Sequence, residues 1–131
     1  MKRWGYLVFL FFLSCKNETH QLQIKIEGFS SNEWQSDSLG CKGNRRELSH
    51  FLDDSIKKII GIDKKELIYL LGAPNYSYHY IGDSMYSYFT APGAQCYNKQ
   101  WKEKNLTEAE QIIFFVNKKG IVRATTGVIY P

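Results

Sequence analysis

The feature that most limits what this chain can fold into stands at its amino terminus. Lys2 and Arg3 form a basic start, residues 7–13 are wholly apolar, and the run stops at Ser14-Cys15 before Lys16, Asn17 and Glu18. A basic region followed by a short apolar one is the pattern of an export signal, which is removed and takes no part in the fold. The run is also too short for a transmembrane helix, which needs about 20 apolar residues. Residues 1–14 are therefore expected to be a signal peptide, and the fold must be built from the residues after it, in an oxidising compartment.

Leu13-Ser14-Cys15 resembles the lipobox cut by lipoprotein signal peptidase, in which a small residue precedes a cysteine that takes up a diacylglycerol. The match departs from the usual pattern in Phe12 and Leu13. The resemblance implies lipidation at Cys15, with the membrane as the first partner. Several acyl chains hold a protein firmly, because each buried methylene contributes about 0.8 kcal/mol. Lys16 is not the aspartate that would retain such a protein at the inner membrane, so the outer membrane, facing the periplasm, is the expected location.

Cysteine usage depends on that assignment. Of three cysteines, Cys15 goes to the lipid and leaves Cys41 and Cys96. An even remainder in an oxidising compartment favours a disulfide over two free thiols. A metal centre is the third reading, but zinc ligands come in closely spaced pairs and His20, His50 and His79 are isolated. No metal or cofactor is expected.

Charge narrows the partners. Loss of Lys2 and Arg3 leaves 15 basic residues against 13 acidic, a formal charge of +2 instead of +4. A nucleic-acid-binding domain would carry a clustered basic stripe. The pairs Lys57-Lys58, Lys64-Lys65 and Lys118-Lys119 read as solvated surface, so no nucleic acid is expected.

Residues 15–43 are expected to hold the lipidated cysteine, a tether and a loop. Leu22, Ile24 and Ile26 alternate and suit either a first strand or part of the tether, and the stretch from Trp34 to Cys41 is rich in turn formers. From residue 44 the pattern turns helical: Leu48, Phe51, Leu52, Ile56, Ile59 and Ile60 recur at three- and four-residue spacing, until Gly61. A second helix starts at Asp63, with Glu66 placed to reach back to the cap, buries Leu67, Leu70 and Leu71, and stops at Gly72-Ala73-Pro74. The period then falls to two. Tyr76, Tyr78 and Tyr80 alternate with Ser77 and His79, Gly82-Asp83 offers a turn, and residues 84–89 return. A long excursion over residues 90–110 precedes a last hairpin, residues 112–116 and 121–128, joined by Asn117-Lys118-Lys119-Gly120. The expected fold class is α+β over residues 44–131, with two helices on one face of a mainly four-stranded antiparallel sheet.

The segment Ile62-Asp63-Lys64-Lys65-Glu66-Leu67, ending in Leu71-Gly72-Ala73-Pro74-Asn75, and the closing strand-turn-strand that leads to Ile121-Val122-Arg123 resemble small lipoproteins of the SmpA/OmlA family. That family includes the small lipoprotein of the β-barrel outer-membrane assembly machinery, and its fold is shared with the β-lactamase inhibitor protein. The resemblance covers about residues 44–131 and implies the fold more than a role. The cysteine pair and the 90–110 excursion depart from the assembly lipoprotein.

No Gly-x-Ser-x-Gly, His-Glu-x-x-His or phosphate-binding glycine loop occurs, so a non-enzymatic chain without a small-molecule substrate is expected. His50, near Asp53 and Asp54, and His79, near Asp83, are the candidate bases, and each reads first as a surface histidine. Tyr76, Tyr78, Tyr80, Tyr86 and Tyr88 gather on one hairpin, where they either meet a protein or fill the core. The resulting expectation is an envelope lipoprotein that binds a protein or stabilises an assembly. An inhibitor or immunity module acting on a secreted enzyme is the alternative, by analogy of fold.

Overall fold

The computed structural model describes residues 24–97, 100 and 109–129. The expected signal peptide, Cys15, His20, Leu22 and about half of the excursion, residues 98, 99 and 101–108, lie outside those residues. Within them the chain is α+β: helices come first in sequence, and a four-stranded antiparallel meander in the order β1-β2-β3-β4 comes after them. Among the described residues no helix is long and apolar enough to cross a membrane.

The helices form where local caps and apolar spacing agree. The first, α1 (Ser31–Ser36), starts at Ser30, whose hydroxyl accepts from the Glu33 amide. Sequence patterning predicts a loop here, because the only large apolar residue is Trp34 and one residue makes no period. The long helix expected from residue 44 up to Gly61 is two pieces, α2 (Asn44–Asp54) and α3 (Ile56–Ile59), broken at Ser55. Phe51 and Ile60, on the expected apolar face, are more than a third exposed. Asp63 caps α4 (Lys64–Leu71) by accepting from the Lys65 amide at 2.6 Å. Glu66 turns its Oε1 to the amide of Ile24 instead, at 2.9 Å, and thereby seats the start of the described chain.

Strands β1 (Tyr76–Tyr80) and β2 (Asp83–Phe89) form the first hairpin, and β3 (Gln111–Val116) and β4 (Val122–Ile129) the second. The four-residue α5 (Ala94–Tyr97) lies between them. The second hairpin turn is stitched by Asn117, whose side-chain oxygen accepts from the amides of Lys119 and Ile121.

One face of the sheet packs on the helices. Leu48, Leu52, Ile59, Leu67, Leu70 and Leu71 meet Tyr88, Ile112, Phe114, Val116 and Val122 in a single core. Ile26 and Trp34 belong to it as well, so the packed unit expected from residue 44 also takes in residues before it. Ile24 and Ile26 are not in a strand; they pack as irregular chain under Glu66.

The far end of the sheet is closed by a buried arginine and the expected disulfide. Arg45 is 1% exposed. Its Nε donates to the Trp34 carbonyl, and its Nη1 donates to Asn75 Oδ1 and the Phe89 carbonyl. The guanidinium lies 4.6 Å from the centre of the Trp34 ring. Burial lowers its pKa to about 10, against the raising influence of Asp37 and Tyr88, so it is charged at neutral pH. Asp37 accepts from the amides of Lys42 and Arg45, and Asn75 donates to the Ser38 carbonyl. Beside this cluster, Cys41 and Cys96 are disulfide-bonded, and Gln95 donates to the carbonyls of Leu39 and Ala91.

Candidate functional site: a tyrosine-bearing edge hairpin

The five hairpin tyrosines do not form one surface. Cross-strand pairs run Tyr76 to Ser87, Tyr78 to Met85 and Tyr80 to Asp83, whereas Tyr86 faces Ser77. Side chains alternate between faces along a strand. Tyr76, Tyr78 and Tyr80 therefore share one face, and Tyr86 and Tyr88 point to the other, into the helices.

Tyr88 is fully buried: its hydroxyl donates to the Gly72 carbonyl at 3.0 Å, and its ring meets Trp34 and Phe114. Burial pushes its pKa upward and keeps it neutral. Tyr86 packs against the core and is partly buried. These two are core residues. Tyr76 is half-buried, edge-on to Phe89 with ring centres 5.6 Å apart, and burial raises its pKa too. Tyr78 and Tyr80 are 46% and 59% exposed. The candidate surface therefore narrows to Tyr78 and Tyr80.

The turn also falls one residue earlier than expected. Tyr80 pairs with Asp83, so Ile81 and Gly82 form the two-residue loop and the return strand begins at Asp83. Both loop residues have positive φ, 45° at Ile81 and 87° at Gly82. Such a loop favours Asn-Gly, and a β-branched residue in the left-handed region is an outlier. Ile81 is nevertheless 85% exposed, with no burial to offset the strain. Replacing it, Ile81→Asn, is expected to raise stability by about 1 kcal/mol. Thermal unfolding checks this, and a melting temperature equal to or below that of the parent would refute it.

The two edges of the sheet differ. The β3–β4 ladder is irregular at two places, between Ile112 and Phe114 and between Phe115 and Val116, and α2 and α3 touch β4. Bulges and covering helices are common protections of an edge against pairing with other chains. Among the described residues the β1 edge has neither device. Its five residues, Tyr-Ser-Tyr-His-Tyr, include no lysine, acid or proline, its ladder to β2 is regular, and all but Tyr76 are exposed.

The two described histidines lie on different elements. His50 is exposed on α2, and His79 is exposed on β1 with its Nδ1 3.2 Å from the Ser84 hydroxyl. Asp83, the acid nearest His79 in sequence, is ion-paired with Arg123. Among the described residues no three His, Cys, Asp or Glu side chains gather as a metal site would require. The feature that sequence reasoning missed is Ile81, since its conformation depends on where the turn falls. No protein-family model matches the chain, and no curated protein shows significant similarity to it.

Proposed function

We propose that this chain is a non-enzymatic lipoprotein of the cell envelope, held by an acylated Cys15, that binds an extended segment of an envelope protein along the free edge of β1. The observation that carries the reading is the unprotected edge. An exposed strand of ordinary length with no charge, proline or bulge is a ready template for another chain. Strand addition supplies main-chain hydrogen bonds for affinity, and alternate side chains supply specificity. Tyr78 and Tyr80 are suited to that second part, being large, rigid and able to hydrogen-bond. The anchor places the edge in the compartment where such partners occur. The basic and apolar leader, the Ser14-Cys15 site and the disulfide all agree with export.

Photo-crosslinking in whole cells tests the binding surface. A photoreactive residue in place of Tyr78 is expected to give a discrete adduct with an envelope protein, and one in place of His50 on α2 is not. Adding Ser77→Pro, which removes a backbone donor from the edge, is expected to abolish the adduct. Equal labelling from both positions, or none from Tyr78, would refute the reading.

A further inference from the structure

The turns at one end of the sheet, together with the chain between α3 and α4, bring together lysines that are distant in sequence. The Lys64 amide donates to the Gly120 carbonyl at 2.7 Å, and Asp63 forms an isolated bridge with Ile121. These contacts seat the start of α4 against the β3–β4 turn. Lys118 lies against the other turn: a Cβ on Gly82 would come within 3.3 Å of its Cε. Lys64 and Lys118 line one groove, and Lys118 and Lys119 flank Ile81 in a shallow depression. A neighbouring groove carries Lys25, Lys58 and Lys65 around Ile24, Ile62 and Ile121.

All of these lysines are exposed, and neither ion pair among the described residues involves one. The acids nearby are engaged elsewhere. Asp63 caps α4, Asp83 is paired with Arg123, and Glu66 is buried under Ile24. The result is a positive end whose most exposed aliphatic side chain is Ile81, 85% exposed.

The first described residues, Ile24 and Lys25, belong to this same end. Nine residue steps separate Cys15 from Ile24. At about 3.4 Å per residue, that chain reaches no more than about 30 Å. A domain tethered at Cys15 thus has its lysine-bearing end within a short reach of the bilayer. Anionic headgroups attract basic residues near the surface, and an exposed aliphatic side chain among them can enter the interface.

We propose that this end of the domain, with Lys58, Lys64, Lys65, Lys118 and Lys119 around Ile81, docks on the anionic headgroup surface of the membrane that holds Cys15. The orientation rests on the anchoring proposed for Cys15. It stands β1 on the bilayer with Tyr80 near the headgroups and Tyr78 above them. It also gives the strained Ile81 a role: the conformation that costs stability in water aims an apolar side chain at the lipid.

Hydrogen exchange on the full-length protein, extracted from membranes and reconstituted in vesicles, tests the proposal. Two vesicle types are compared, phosphatidylcholine alone and phosphatidylcholine mixed with phosphatidylserine. Backbone amides near Ile81 and Lys118 are expected to exchange more slowly on the mixed vesicles alone, with the difference lost in high salt. Each lysine changed to glutamine is expected to weaken docking by about fivefold, so Lys64→Gln, Lys118→Gln and Lys119→Gln together abolish the protection. Ile81→Asn, which leaves the turn intact, is expected to reduce it. Flotation with neutral vesicles reports the anchor separately. If the protein floats with both vesicle types and exchange is identical, docking is refuted and the anchor stands. If it floats only with the mixed vesicles, the anchor fails and docking stands; if it floats with neither, both fail.

Discussion

Reduction of the Cys41–Cys96 bond is expected to destabilise the domain by about 4 kcal/mol. The reason is the separation of the two cysteines, 55 positions in sequence. Freeing so long a loop returns a large conformational entropy to the unfolded chain. Small domains depend on such links because their cores bury proportionally less surface. The bond joins the loop before α2 to α5, and residues beside it, Leu39 and Gln95, are hydrogen-bonded across the same gap. Urea unfolding with and without reductant measures the effect. A midpoint falling by more than about 1 M is expected, given typical urea slopes. The double variant Cys41→Ser/Cys96→Ser should match the reduced protein, and a loss below about 1 kcal/mol would contradict the entropic role given to the bond.

Arg45→Ala is expected to cost about 3–5 kcal/mol, as does the loss of one partner from a buried charged network. Three acceptors lose a donor at once, although the Trp34 carbonyl keeps the Asp37 amide: the carbonyls of Trp34 and Phe89 and the side-chain oxygen of Asn75. The last retains the Phe89 amide as a partner, but the Asp37 carboxylate, 2% exposed, loses the nearby cation. The Trp34 ring loses the guanidinium stacked on it. Arg45→Met restores volume without the donors and is expected to recover only the packing part of the loss. Combining Arg45→Met with Asp37→Asn should cost less than the sum of the two, with a coupling of about 1–3 kcal/mol. Chemical denaturation of the four proteins of that cycle measures it, and strict additivity would contradict the role given to the pair.

How much of this is legible in the sequence depends on how local each signal is. The α4 segment carries its own start and stop, Asp63 and Gly72, and both act where expected. The second hairpin is written in the Asn117–Gly120 turn. Cys41 and Cys96 pair by compartment and elimination. Arg45 is invisible, because its partners lie 11, 30 and 44 positions away and no local pattern marks a buried arginine. The split of the tyrosines is legible in principle. A two-residue hairpin loop pairs even-numbered with odd-numbered positions, so Tyr86 and Tyr88 must oppose the face of Tyr76, Tyr78 and Tyr80. Turn chemistry hides Ile81. Gly82-Asp83 looks the better loop, and Ile81-Gly82 is chosen at the cost of an isoleucine at positive φ.

The same residue links stability to role. A chain selected for stability alone would place asparagine at position 81 and a lysine or proline in β1. The anchored reading accounts for both departures, one turned toward lipid and the other toward a protein partner. It also agrees with a sheet whose other edge is irregular and touched by helices.

Both roles depend on export and acylation, and intact mass spectrometry of the membrane-extracted protein tests that most directly. The expected product is a chain that begins at Cys15, carries acyl groups on that residue, and gains the mass of two hydrogens on reduction. A Cys15→Ala variant should lose the acyl mass. An unacylated chain that still contains residues 1–14, recovered from the soluble fraction, would contradict the anchored reading.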